Sequence, residues 1–476
     1  MRSLTFLPCF AHQLNLCVGE IFKESVEFKN TIDKSIKLAT YFRNSNNKFF
    51  IANLKELQYE TYKKYIIPIV PAETRWNSIY MMCTSLLNIQ KALQILAIKF
   101  EPPIVESRRK SGDSPKISRA IFEIINSEAF WRNLLSITKI LDPYNKILNV
   151  LQRDKARLFQ VVHSFGYLAQ FWSKYEDIEF AAKIIARLEN RWKSWEQPLL
   201  ILSCLLHPEY KMECFNNNIF NINYSVFGRW IIYYYRAWSG KDSKCILREF
   251  DDFRLSKYPF DINSYNHFDG DVWRYWCYIS VSTNELGFVA CRIFGICINA
   301  ASVERLWSCM GFLQTNRRNR LMSSRALEMS KLRADITYSH RLISTTSKPS
   351  FNNAIFEIAE DNENNDQDHE ENNDENLVDE NLVNNNKNLD DDENLIDEDC
   401  DEEFENENID QLNIENDFGE YLQGWVEMLR EEKNAIDDDN YDDENIMVDN
   451  IIHPAVDTNA KWELTTLFKN NLKLPF

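Results

Sequence analysis

The chain has 476 residues with 44% hydrophobic and 13% aromatic content, enough core for two or three domains, which excludes a protein that is disordered throughout. Its formal net charge of −18 is unevenly placed: residues 351–450 carry 38 Asp and Glu against three Lys and Arg, leaving 34 acidic and 51 basic residues elsewhere. A body of that sign favours polyanions such as nucleic acid, whereas the acidic stretch repels or mimics them.

From Leu14 to Phe42 apolar residues recur every three or four positions (Leu14, Val18, Ile21, Phe22, then Ile32, Ile36, Leu38), which predicts two amphipathic helices. "YKKYIIPIVPAETRWNSIYMMCTSLLNIQKALQIL" opens with a short β-branched run broken by Pro68 and Pro71. It then reads as one long helix through Leu96, capped by Thr74 or Asn77. "EPPIVESRRKSGDSP" is a loop or boundary, and its Arg108, Arg109 and Lys110 read as solvated. Residues 117–238 read as helix after helix, Trp238–Gly270 as a broken region, and "DVWRYWCYI" as renewed order with Val272, Trp276 and Ile279 on one face.

"LGFVACRIFGICINAA" from Leu286 contains Arg292 and Asn299 and is too short to cross a bilayer, so buried core rather than a membrane partner is expected. It predicts a helix, then an extended piece near Ile296–Asn299, with two more helices to about His340. After Ser350 the Asn, Asp and Glu content cannot bury enough surface to offset chain entropy, so a disordered tail is expected. Within it "FGEYLQGWVEMLREE" places Phe418, Leu422, Trp425 and Leu429 on one stripe, a helix expected to form on contact or only transiently. Eleven scattered cysteines and an N-terminus without a secretory pattern predict a reducing, intracellular setting.

The chemistry-bearing stretch is "SVERLWSCMGFLQTNRRNRL". Glu304 falls at the edge of the stripe formed by Val303, Leu306, Trp307 and Met310, a position compatible with a cleft or with an ordinary helix surface. Arg317, Arg318, Arg320 and Arg325, with Asn316 and Asn319 between them, suit either phosphates or helix capping and ion pairing. Cys9 with His12 and Cys204 with His207 both have Cys-x-x-His spacing. Two such pairs can in principle build a zinc site, but nearly two hundred residues separate them, so small buried cysteines and a turn histidine before Pro208 are the preferred reading and no metal is assigned.

"SVERLWSCMGFLQTNRRNRLMSSRALEMSKLRADI" resembles the C-terminal signature of the hAT superfamily of DNA transposases, and "CFAHQLNLCVGEIFK" and "TRWNSIYMMCTSLLNIQKAL" agree with it in order and spacing. The resemblance covers about residues 6–340. It implies an α/β, predominantly helical chain: a partial ribonuclease H-like fold interrupted by an all-α insertion. It further implies that Glu304 matches the last acid of an Asp, Asp, Glu triad and that Cys9 and His12 match a Cys/Asp-x-x-His motif. Arg75 and Trp76 match an Arg-Trp motif whose tryptophan stacks on a flipped base. The expected segments are 1–100 and 266–345 for the ribonuclease H-like parts, the latter with a dimerisation region. An α-helical insertion is expected over 101–265, the acidic tail over 346–450, and a C-terminal segment over 451–476.

Both family aspartates precede the Cys-x-x-His motif, and only eight residues precede Cys9 here. Asp33, Asp113 and Asp142 have no strand-like context, and one glutamate cannot hold two ions. The resulting expectation is a catalytically incomplete, nuclear, transposase-derived protein, with no cofactor and ancestral magnesium or manganese binding lost. Its partners would be a second copy or other hAT-like proteins, with residual DNA affinity. Trp273, Trp276, Phe288, Phe294, Leu306 and Trp307 are the apolar residues available to an interface or to the core. The alternative is a DNA transposase whose missing aspartates come from upstream sequence or a partner chain.

Overall fold

The computed structural model describes residues 7–71, 76–103, 115–281 and 285–301, isolated helical positions between 325 and 332, and 447–448, 451–457, 460–469 and 472–473. Packing divides the chain into one unit of Met1–Ser302 with Leu412–Phe476 and another of Val303–Gln411. In the second unit, Arg325 and Leu327 are exposed.

The first unit is helical. In chain order it contains α1 (Phe10–Glu24), α2 (Val26–Arg43), α3 (Lys48–Tyr62), α4 (Trp76–Asn88), α5 (Gln90–Lys99), α6 (Arg119–Asn126), α7 (Glu128–Leu151) and α8 (Leu158–Ser173). There follow α9 (Ile178–Ser194), α10 (Gln197–Leu205), α11 (Tyr224–Ser239), α12 (Ile246–Arg254), α13 (Ile262–Asn266), α14 (Val272–Ile279) and α15 (Leu286–Phe294). Near the C-terminus β1 (Met447–Val448) pairs antiparallel with β2 (Ile451–Ile452), and α16 (Leu464–Leu467) follows.

Local chemistry sets many of the boundaries. Ser25, Ser127, Asp177 and Asn223 each accept the backbone N–H three residues on, starting α2, α7, α9 and α11. The 24-residue α7 is the central strut, packed by α1, α2, α4 and α8. It buries Leu134, Ile137, Leu141, Tyr144 and Leu148 at helical spacing. α5 packs on α6, so the helices on either side of the boundary expected near residue 100 lie in one unit.

One expectation finds no counterpart among the described residues, and two are corrected. Among the described residues the two-residue β1–β2 ribbon is the only strand pairing apart from a single bridge between Phe215 and Phe468, so a ribonuclease H-type sheet is not found there. The run Tyr65–Val70 forms no strand: Pro68 and Pro71 lack an N–H, and the N–H groups of Ile66 and Ile69 donate to Gln58 Oε1 (2.7 Å) and Ser85 Oγ (3.1 Å). The long helix expected through Leu96 is two helices, bent by 59° at Ile89, and Tyr62 Oη accepts the Ala92 N–H (3.3 Å) that the break leaves without a helical partner. The broken region Trp238–Gly270 contains α12 and α13, anchored by buried Ile246, Phe250, Phe253 and Tyr265. Among the described residues no single helix is long and apolar enough to cross a membrane.

The C-terminal residues fold back as a strap across the helical body. Trp462, Leu464, Leu467 and Phe468 are buried, and α16 packs on α8. The acidic residues of 351–446 and the stripe Phe418, Leu422, Trp425, Leu429 lie outside the described residues.

Candidate functional site

α1 begins where the Cys-x-x-His motif lies. Phe10 is fully buried and meets the Trp195 ring edge-on at 4.9 Å, which fixes the first turn against the end of α9. The Phe10 N–H donates to the Ile298 carbonyl (3.0 Å), and the Ala300 N–H donates to Cys9 Sγ (3.4 Å). Asn299 ties the same segment to α7 by donating to the Leu151 carbonyl (2.5 Å), and its own Oδ1 accepts the Ala301 N–H (2.9 Å). Residues 296–301 are thus pinned between the start of α1 and the end of α7. The expected extended piece at Ile296–Asn299 is outside any helix, and Ile298 is buried.

His12 is half-buried in the first turn of α1, next to this junction. Ala301 is the last described residue before the Ser302–Leu321 signature. Glu304, Arg317, Arg318, Arg320 and Arg75 lie outside the described residues, as does the side chain of Trp76, whose backbone begins α4. Of Leu306 and Trp307 nothing is described either.

One turn beyond Trp76, Tyr80 donates to Asp142 Oδ1 (3.1 Å), and Lys146 pairs with Asp142 Oδ2 (2.9 Å). Burial and then the adjacent Asp142 charge push the Tyr80 hydroxyl up to about 12. Asp142 therefore sits on a helix with a cation and a phenol on its two oxygens, and Asp33 is half-buried on α2. Asp113 lies outside the described residues.

The acids of α1 face arginines of α9. Arg191 donates to Glu20 Oε1 and Gln13 Oε1 (2.7 Å each), and Arg187 pairs with Glu24. This network joins α1 to α9, a link that sequence periodicity alone did not signal. Magnesium or manganese would need several converging carboxylates, and among the described residues no three of His, Cys, Asp and Glu form a group able to hold a metal ion.

The second Cys-x-x-His pair is a packing feature. Cys204 is buried with its thiol against the Phe159 carbonyl (3.8 Å). His207, just past α10, is buried and stacked on Tyr210 at 4.2 Å. Burial, with His163 adding to it, lowers His207 to about 3, so the ring is neutral near pH 7. Cys9 is half-buried.

Of the apolar residues considered for an interface, Trp276 and Phe294 are fully buried in the chain's own core, Phe288 is half-buried, and Trp273 is 41% exposed. Trp276 Nε1 donates to the Leu206 carbonyl (3.0 Å), which places that tryptophan in the core by polar as well as apolar contacts.

No curated protein matches the chain. Residues 7–117, which take in α1–α5 and end at Ile117, whose N–H donates to the Phe100 carbonyl at the end of α5, match the family model described as the ZBED1 RNase-like helical domain. That match points to a ZBED/hAT-related, transposase-derived family.

Proposed function

We propose that the chain is a transposase-derived protein that has lost strand cleavage and acts by association. In this reading its C-terminal helical region joins a second copy or a related hAT-like protein, and its basic residues keep affinity for DNA in the nucleus. The observation that carries it is the family match over residues 7–117 together with the junction of Cys9 and Phe10 with Ile298 and Ala300. That junction holds the residues that lead into the Ser302–Leu321 signature against the start of the matched domain. The loss of cleavage is supported by Asp142, which is on a helix and engaged by Tyr80 and Lys146.

The test pairs light scattering with a DNA assay on the purified full chain. The expected outcome is a dimer that binds DNA with an affinity falling steeply with salt and that leaves supercoiled plasmid intact in magnesium or manganese. Metal-dependent nicking that is abolished by Glu304→Gln would overturn the loss of cleavage and assign the transposase alternative. A monomer at all concentrations would overturn association.

A further inference from the structure

The strap is held as a bound peptide is held. The Trp462 N–H donates to Gln197 Oε1 (2.7 Å), and its carbonyl accepts from Trp192 Nε1 (2.8 Å). The Glu189 carboxylate accepts the N–H groups of Leu464 and Thr465 (3.0 Å each). Gln170 donates to the Lys469 carbonyl (2.9 Å) and accepts the Leu472 N–H (3.0 Å). Gln170, Glu189 and Gln197 are buried polar residues: the strap's main chain partners Gln170, the Glu189 carboxylate and Gln197 Oε1, while Gln197 Nε2 donates to the Trp192 carbonyl.

Side chains add selectivity. Trp462, Leu464, Leu467 and Phe468 are buried at a spacing of Trp-x-Leu-x-x-Leu-Phe. The floor is Gly166, where a Cβ would lie 2.5 Å from the Phe468 ring, so the aromatic anchor seats only because that position has no side chain. None of these bonds involves the 145 residues that separate Ala301 from Met447 in the sequence.

We propose that the groove of α8, α9 and α10 is a peptide-docking site for Trp-x-Leu-x-x-Leu-Phe segments, which the strap of a second copy occupies as well as the chain's own. The tethered strap has the advantage of effective concentration, so exchange is read once the tether is cut. The proposal does not rest on association through the C-terminal helical region, which would persist if the groove rejected every free strap.

The experiment starts from the full chain, nicked under native conditions by a glutamyl endopeptidase in the acidic stretch. The C-terminal fragment is expected to co-elute with the body and to be displaced, saturably, by a fluorescent synthetic peptide of residues 447–476. The same peptide carrying Trp462→Ala and Phe468→Ala should bind about tenfold or more weakly. A second copy nicked in the same way and carrying a labelled C-terminal fragment should exchange that fragment with the first body, read by the label co-eluting with it. Loss of the fragment from a body that keeps its circular dichroism, or refusal of the peptide or of the second copy's fragment, overturns the proposal.

The uncut chain carrying Trp462→Ala and Phe468→Ala provides the second measurement, by amide hydrogen exchange. Loss of protection at Leu464 and Thr465 with α8–α10 still protected is expected. Collapse of protection throughout the helices would show the strap to be inseparable core and would overturn the proposal as well.

Discussion

Glu249 and Glu285 cap each other's helices. The Glu285 carboxylate accepts the N–H groups of Lys244, Cys245 and Ile246 (2.7–3.0 Å) at the start of α12. Glu249, inside α12, accepts those of Glu285 and Leu286 (3.2 and 2.7 Å) at the start of α15. Burial alone would push Glu285 up, yet the three backbone N–H groups hold its carboxyl below the usual value. Each carboxylate also sits at the positive end of the helix it caps.

Glu285→Ala should therefore cost about 2 kcal/mol, the scale of a lost cap with charge-assisted bonds. Because Glu249 shares the structure, adding Glu249→Ala should cost less than its single effect, and a double-mutant cycle by chemical denaturation reads the coupling. Additive losses would mean the two caps act separately. The lowered folded value makes this stabilisation present above the ordinary carboxyl value of 4.5 and lost as pH falls through the folded one.

His207 gives a second pH dependence in a different window. Its folded value, about 3, lies below the ordinary 6.5, so between those limits the unfolded chain binds a proton that the folded chain refuses. Stability is present above 6.5 and falls with pH at about 1.4 kcal/mol per unit for this one proton. His163, also lowered by burial, adds in the same direction. His207→Phe keeps a ring against Tyr210 and should lose about 2 kcal/mol less than the parent between pH 7 and pH 5. Equal losses in the two proteins would place the acid sensitivity elsewhere.

What the sequence revealed follows from what periodicity can encode. α1, α2 and α14 were legible because Val18, Ile32 and Trp276 recur with their neighbours at helical spacing over two or more turns. α13 was not, since five residues hold too few periods, and α12, longer than α14, was not because Arg248, Glu249, Asp251, Asp252 and Arg254 make it read as loop. The break at Ile89 left no Gly or Pro to signal it, because Tyr62, thirty positions before Ala92, satisfies the freed Ala92 N–H. The strap was invisible for a related reason: Glu189, Gln197 and Gln170 find their partners more than 250 residues away, and single-sequence patterns carry no such pairing. At the candidate site, the motifs at Cys9 and Glu304 were readable as motifs. That the segment from Ile298 to Ala301 meets Cys9 and Phe10 was not, because backbone hydrogen bonds leave no residue-type signature.

The Arg191–Glu20 pair fastens α1, and with it the Cys9 junction, to α9. Both side chains are 11% exposed, and Arg191 also donates to Gln13. Arg191→Met takes the hydrogen-bonded cation from the Glu20 carboxylate in a largely buried place, with the charge of Lys23 still nearby, and should cost about 3 kcal/mol. Replacing both, Arg191→Met with Glu20→Met, should recover most of that loss, since two apolar side chains need no partner. Thermal unfolding of the three variants decides it: a double variant as unstable as the single would show that shape at this contact, rather than charge, is what matters.

Trp273 and Trp276 separate association from stability. Trp276 is fully buried between Phe253 and Phe260, with ring centroids at 5.5 and 5.9 Å, and its indole N–H is bonded to the Leu206 carbonyl. Trp276→Ala should cost about 3–5 kcal/mol through the cavity and the orphaned carbonyl. Trp273 is 41% exposed, with Arg157 stacked over its ring at 5.6 Å, and Trp273→Ala should cost only about 1 kcal/mol in folding. If the C-terminal helical region joins two copies, an exposed aromatic flanked by an arginine is the composition that interface energetics favour. Trp273→Ala should then weaken the dimer by about tenfold or more in sedimentation equilibrium while its melting temperature stays near that of the parent. A dimer constant that does not move would place the interface away from α14, because no other side chain considered for it among the described residues is as exposed.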